Sequence, residues 1–379
     1  MLPDRAVYGE EHGILRQMAR RWFADTVVPN MERWDEDGIV PRAMWKAAGA
    51  QGLLCPQVPE IYGGAGGDFR YNAVIDEELA YTGSSAFGIA CQNDLCVDYI
   101  LHHGTEDQRR RWLPGMVAGD VIACIAMTEP GTGSDLAGVR TRAADAGDHY
   151  VVSGQKTFIT NGIQADLTIA VVSTDAARGA KGISLLLIES DRDGFRRGRK
   201  LEKIGMHGRD TAELFFDEIR VPKANRIGGE NEGFRLLMTQ LPQERLSIAI
   251  ECMGWAQKAY DLAAAYVKER RAFGRAVVEF QNTRFQLAQA KAELAVGWAY
   301  LDQCIARHAE GRLTVEEAAI AKLWITEMYG RIVDMAVQMH GGYGFMKEYL
   351  VARMYCDARV QRIYGGTSEI MRDLIGRTV

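Results

Sequence analysis

The period of the hydrophobic positions changes twice along this chain. Up to about residue 123 it is helical: Ile14, Leu15, Met18, Trp22 and Phe23 recur at helical spacing, with Arg16, Arg20 and Arg21 between them. Residues 43–48 read as a second helix stopped at Gly49, 72–81 as a third, and 85–102 as a fairly apolar one interrupted by Gln92, Asn93 and Asp94. Thr105 followed by Gln108 has capping-box spacing and starts a helix toward Met116. Short β-rich runs then take over at 150–152, 157–159, 167–172, 183–188 and 213–219, separated by Gly, Asn, Asp and Ser. Their close spacing predicts a small barrel or sandwich rather than alternating βαβ units. From Glu244 the helical period returns. Helices are expected over 244–270, 282–309, from a Thr314/Glu317 cap to Gln338, over 350–363, and briefly after Gly365-Gly366-Thr367. Pro242 would sit near the first turn of the first of these, where proline is tolerated. The pattern predicts a mainly α chain with a central β domain: an N-terminal helical domain at 1–123, a middle β domain at 124–232 and a C-terminal helical bundle at 233–379.

Composition narrows the class. A length of 379 residues suits two or three domains, and a hydrophobic fraction of 47% supplies a sizeable core. Lys+Arg 45 against Asp+Glu 50 leaves a net charge of -5, too mild to suggest nucleic acid. The 7 cysteines include no Cys-x-x-Cys pair, which points to reduced thiols in a cytoplasm-like compartment and to no metal site. Cys91, Cys96 and Cys124 read as small core fillers. The polar N-terminus leads into no apolar region, so no secretion signal is expected. The longest apolar run, 183–188, is strand length against the roughly 18 residues a membrane helix needs. Leu323, Ile325 and Met328 form an apolar face outside the expected core, a hint of oligomerisation.

Several stretches carry candidate chemistry, each beside an ordinary structural reading. Glu244 and Arg245 stand where a helix entry is expected, and a carboxylate is favoured there by unpaired amides and the macrodipole alone. Thr128-Glu129-Pro130-Gly131-Thr132-Gly133-Ser134-Asp135 follows an apolar strand and can turn amides and hydroxyls toward a polar ligand, or be a tight turn. It lacks the spacing of a dinucleotide fingerprint. The glycine-rich stretch from Tyr62 to Gly67 lacks the lysine and strand of a P-loop and reads as a turn. Phe158-Ile159-Thr160-Asn161-Gly162 is a strand entering an Asn-Gly turn, either an ordinary hairpin or a place where Phe158 packs on a flat ring and Thr160 bonds its edge. Arg270 could bind a pyrophosphate and Gln281 an adenine or ribityl group, although paired arginines often mark a solvated helix end. Gln338-Met339-His340-Gly341-Gly342 allows close backbone approach, or is a C-cap. His340 reads as a packed or capping residue.

In this order the stretches resemble the acyl-CoA dehydrogenase family over nearly the whole chain: the Thr-Glu-Pro-Gly loop, Phe-Ile-Thr-Asn-Gly, Arg-x-x-Phe-Gly from Arg270 to Gly274, Gln-x-x-Gly-Gly and the final Gly-Thr-Ser. The stretch from Leu241 to Leu246, and Asp357 to Thr367, are most similar to the long-chain type. The resemblance implies an α / β-barrel / α four-helix-bundle fold, tightly held FAD, and a homotetramer. It implies flavin contacts at Met127, Thr128, Ser134, Phe158 and Thr160. Others at Arg270, Phe273, Gln281, Gln338, Gly341 and Gly342 would come from a neighbouring subunit, and Thr367, Ser368 and Glu369 would close the site. Ser134, Lys181, Arg245, Gly365, Gly366 and Arg377 fall where the family meets its CoA thioester. Ala90, Gln92, Asn93, Leu95 and Cys96 would lie near the far end of an acyl pocket.

One departure decides the mechanism. Many members carry the catalytic glutamate just before the Gly-Thr near the C-terminus, and that position here is Gly365. Long-chain and isovaleryl-type members place it on the earlier helix, where Glu244 stands. The implied reaction is α,β-desaturation of an acyl-CoA, as in fatty acid β-oxidation. Glu244 takes the α-proton, a hydride goes to the flavin, and electrons pass to an electron-transfer flavoprotein. A flavin ribityl hydroxyl and a backbone N–H near Gly365 would hold the thioester carbonyl. Arg245 should point away from Glu244, since adjacent helix positions do not share a face. The competing readings are an acyl-CoA oxidase using oxygen and an inactive helical scaffold.

Overall fold

The structure is a computed structural model and describes residues 2–379. Helices α1 (Glu10–Thr26), α2 (Met31–Asp37), α3 (Arg42–Ala50), α4 (Phe69–Tyr81), α5 (Val97–His103) and α6 (Glu106–Ala118) come first. The α6 capping box forms in both directions between Thr105 and Gln108. The helix expected over 85–102 is broken. Residues 84–88 have no regular structure, and a π-helical turn, Cys91–Cys96, leads into α5. The polar triplet is the cause. Gln92 donates to the carbonyls of Met116 and Val121 and accepts from the Ala123 N–H. Asn93 accepts from the Cys55 N–H and donates to the Leu53 carbonyl. Both side chains are committed to holding neighbouring backbone, so neither is free to line an acyl pocket.

The middle of the chain is one mixed sheet rather than a barrel. Strands β1 (Ala123–Ala126), β2 (Arg142–Asp145), β3 (His149–Thr160), β4 (Leu167–Ser173), β5 (Ile183–Glu189), β6 (Phe195–Lys200), β7 (Thr211–Pro222) and β8 (Arg226–Ile227) run in the order β6-β7-β3-β2-β4-β5-β8, with β1 parallel to β4. The ends do not meet. β6 pairs only with β7 and exposes Arg196, Arg197, Arg199 and Lys200, a charged edge that resists further pairing. The runs expected at 150–152 and 157–159 are a single strand, β3, which pairs with β2 and β7, so the Asn161-Gly162 turn closes no hairpin onto β4. β4 and β5 are buried at every position, which is why they read as unbroken apolar runs.

A helical bundle completes the molecule: α7 (Gly233–Glu269), a two-strand hairpin of β9 (Arg271–Ala272) and β10 (Arg275–Ala276), α8 (Gln281–Ala309), α9 (Val315–His340), α10 (Leu350–Ala358) and α11 (Ser368–Gly376). Helix α7 begins well before Glu244, and Pro242 lies in its interior. The ring there removes one N–H from the helical ladder, yet packing on both sides carries the helix through. Ile325 and Met328 are fully buried in the bundle core with Ala249, Met253 and Ala256, so these two positions of the apolar face read as an outer surface are inner ones, while Leu323 is half-buried. All 7 cysteines are free. Among the described residues no helix is long and apolar enough to cross a membrane, and no side-chain group is arranged to hold a metal ion.

Candidate active site

Glu244 lies in the interior of α7, so the ordinary reading of a first-turn carboxylate does not apply to it. It faces the turn before α11. A Cβ placed on Gly365 would stand 3.6 Å from Glu244 Oε1 and would collide with Ile248 Cδ1. Gly365 and Gly366 have φ of +63° and +97°, a region that side chains disfavour. The Ile248 contact and the backbone together therefore disfavour a side chain at 365, and α7 presents a carboxylate to the same space. No protein group hydrogen-bonds this carboxylate among the described residues. Burial pushes it up to about 7, against the opposing charges of Arg245 and Lys322.

Two buried cations flank the turn. Arg245 Nε donates to the Gly365 carbonyl at 3.5 Å, so it does not face away as expected. Adjacent helix positions differ by about 100°, and the long arginine stem reaches back to the same turn. Lys322, on α9, is fully buried and donates from Nζ to the Gly366 carbonyl. Sequence reasoning missed it. Its signal was a lysine in the buried stripe of α9 marked by Ala318, Ala321, Ile325 and Met328.

The loop after β1 is fixed by groups that were also missed. The Glu129 carboxylate accepts from the Arg140 and Thr141 N–H groups and from Lys156 Nζ at 2.9 Å. Lys156, fully buried, also donates to the carbonyls of Met127 and Val171, and burial lowers it to about 8. The Thr157 N–H donates to the Thr128 carbonyl at 3.0 Å, which brings Met127 and Thr128 beside Phe158. Thr132 donates to the Gly138 carbonyl, whereas the hydroxyls of Thr128, Ser134 and Thr160 make no hydrogen bond among the described residues. Phe158 sits at a shift in the β3–β7 register with φ +60° and 68% of its surface exposed. Ser134 is exposed, and the turn after it packs against the segment Ala176–Gly182 that carries exposed Lys181.

A second cluster lies at the end of the bundle. Arg270, Gln338, Gly341 and Gly342 line one cleft of about 460 Å³ with Tyr266 and Tyr343. A Cβ on Gly341 or Gly342 would meet nothing within 4 Å. Arg270 is exposed without an ion pair among the described residues. Phe273, at the tip of the hairpin, is 93% exposed, and Gln281 is exposed at the start of α8. His340 is a packing residue: it is buried, stacks on Tyr266 at 4.2 Å, and lies with Nδ1 2.7 Å from the Ala336 carbonyl oxygen. No hydrogen bond or ion pair joins this cluster to the Thr128 loop among the described residues. Near Gly365, Thr367 caps α11, Ser368 donates to Glu327, and exposed Glu369 pairs with Arg372. Arg377 is exposed and pairs with Asp373.

These features fit FAD. Free hydroxyls and an exposed phenyl ring suit a flavin ring and its polyol, and an unpaired arginine beside open glycines suits a pyrophosphate.

Comparison with known proteins agrees. The family models described as the N-terminal, middle and C-terminal domains of acyl-CoA dehydrogenases match residues 9–120, 124–219 and 231–379. The mitochondrial long-chain specific acyl-CoA dehydrogenase of Rattus norvegicus is 44% identical over 99% of this chain and 88% of its own. The crystal structure of an acyl-CoA dehydrogenase from Geobacillus kaustophilus superposes with a TM-score of 0.97 at 48% identity, covering 99% of both chains. The caffeyl-CoA reductase-Etf complex subunit CarC of Acetobacterium woodii is 33% identical over 97% of this chain and 98% of its own.

Proposed function

The chain belongs to the acyl-CoA dehydrogenase family, FAD oxidoreductases acting on acyl-CoA, and on that premise we propose that Glu244 is the base of its α,β-dehydrogenation. The observation that carries this reading is the approach of Glu244 Oε1 to the place where a side chain of residue 365 would begin. The α-proton of a thioester is only weakly acidic, so its removal needs the carbonyl held as enolate charge develops. The Gly365 turn, bonded through its carbonyls to Arg245 and Lys322, offers a fixed backbone N–H for that purpose. Glu244, poised near 7, accepts the α-proton at neutral pH. Bound FAD supplies the acceptor for the hydride that leaves Cβ.

In this reading Met127, Thr128, Ser134, Phe158 and Thr160 hold the flavin within one chain. Arg270, Phe273, Gln281, Gln338, Gly341 and Gly342 reach it from a neighbouring copy. The side chains of Thr367 and Ser368 are already committed, so that turn contributes the free amides at the start of α11. Ser134, Lys181 and Arg377 meet the CoA. Arg245 acts by holding the Gly365 carbonyl. The exposed Phe273, Phe345 and Met346 at one end of the bundle support a homotetramer. A relative named as part of an Etf complex supports an electron-transfer flavoprotein as the acceptor. The setting is fatty acid β-oxidation, and free thiols support a reducing, cytoplasmic compartment. Glu244→Gln should bind FAD and acyl-CoA and lose roughly 10²-fold or more of its turnover. Turnover near that of the parent enzyme would refute the assignment.

A further inference from the structure

Two adjacent glycines in left-handed conformations make the turn beside Glu244. Such a turn loses more conformational entropy on ordering than any other pair of residues, so its geometry depends on what grips it. The grip comes from two helices. Arg245 of α7 bonds the Gly365 carbonyl and Lys322 of α9 bonds the Gly366 carbonyl.

Lys322 is the unusual member. The other fully buried lysine, Lys156, has the Glu129 carboxylate at 2.9 Å. Lys322 has no carboxylate within ion-pair distance among the described residues, and its ammonium rests on a backbone carbonyl. An unpaired buried cation is costly, which asks for a reason beyond packing. The charged and titratable groups around Glu244 are Arg245 on its own helix, Lys322 on α9 and Tyr99 on α5. Those around Lys322 are Glu244, Arg245 and Cys252 from α7 and Glu327 from α9.

We propose that Lys322 is a positioning residue for the dehydrogenation: it fixes the Gly365–Gly366 turn by the Gly366 carbonyl, and its positive charge at the turn that Glu244 faces favours the ionised form of that carboxylate. The inference rests on Glu244 being the base. Burial lowers Lys322 to about 8, which leaves it charged at neutral pH. Its charge in turn opposes the upward push of burial on Glu244.

The test compares the FAD-loaded parent enzyme with Lys322→Met, which loses both donor and charge, and Lys322→Gln, which keeps a donor and loses the charge. Glu244→Gln is the control. Two readouts are taken: the pH profile of kcat/KM, and infrared titration of the protonated carboxyl band that disappears in Glu244→Gln. In Lys322→Met, kcat should fall roughly 10- to 100-fold with KM little changed, because the turn is misplaced while the groups that hold the CoA stay where they are. In both variants the carboxyl band should persist to higher pH and the acid limb should move up with it. Should Lys322→Met not fold, Lys322→Gln decides by the same shift. A band and limb at the parent pH in a folded variant would overturn the proposal while leaving the base assignment intact. Full activity in Glu244→Gln would remove the base assignment itself.

Discussion

At the scale of single residues, the base assignment has consequences for both rate and stability. Glu244 must be ionised to accept a proton, so kcat/KM should rise as pH passes through about 7 and level off above it. The same shift has a stability sign. The folded state holds the proton up to about 7, whereas an unfolded glutamate releases it near 4.5, so stability falls as pH rises between those values. Glu244→Gln removes that loss. It should melt higher than the parent at pH 8 and nearly level with it at pH 4, in thermal scans of the two proteins side by side. An equal difference at both pH values would place the carboxyl in an ordinary environment. The candidacy of Glu244 as base was legible in the sequence through a pairing, glycine at 365 with glutamate at 244, and the structure brings the two positions together. Lys322, Glu129 and Lys156 were not legible, because nothing in a local pattern tells a lysine that faces solvent from one that grips a carbonyl inside the fold.

At the scale of elements, α7 organises the site by its two faces. Glu244 and Arg245 meet the Gly365 turn, Gln243 and Ser247 meet the first domain, and Glu251, one helical turn beyond Ser247, meets the middle domain. Gln243 donates to the Asp94 carbonyl. Ser247 reaches both Asp76 and Asp94, and Glu251 pairs with Arg209 at 3.2 Å. Burial, and then the Asp94 charge, pushes the Asp76 carboxyl well above its usual range. Ser247→Ala leaves those carboxyls short of a donor and should cost roughly 1–3 kcal/mol in denaturant unfolding. Its acid limb of kcat/KM should stay where the parent's is, since the Ser247 hydroxyl bonds Asp76 and Asp94 and makes no hydrogen bond to Glu244 or the Gly365 turn among the described residues. The start of α7 was misread from the sequence because Pro242 resembles a helix opening. Buried contacts on both faces of α7 override that local signal. The strands β4 and β5 were read correctly because burial on both faces leaves an unmistakable apolar run. The two-residue β8 and the arginine-rich β6 carry no such mark.

At the scale of the whole molecule, the residues proposed to hold the flavin lie in separate parts of one chain, and on that proposal a complete site takes a second copy. Sedimentation should find a tetramer. Phe273→Ala combined with Arg270→Ala should weaken FAD retention in gel filtration while the fold, followed by circular dichroism, is unchanged. Retention equal to the parent's would mean that one chain holds the flavin alone. Three regions of contrasting hydrophobic period were visible from the start, but the open form of the sheet was not, since edge pairing depends on strands too short or too charged to recognise. The most direct measurement mixes the purified yellow protein and Glu244→Gln, without oxygen, with acyl-CoAs of increasing chain length, and follows the flavin absorbance. The account predicts rapid bleaching of the parent by at least one of them, and bleaching slower by roughly 10²-fold or more in the variant despite intact binding. Equal rates in the two proteins, or a parent that no acyl-CoA bleaches, would contradict it.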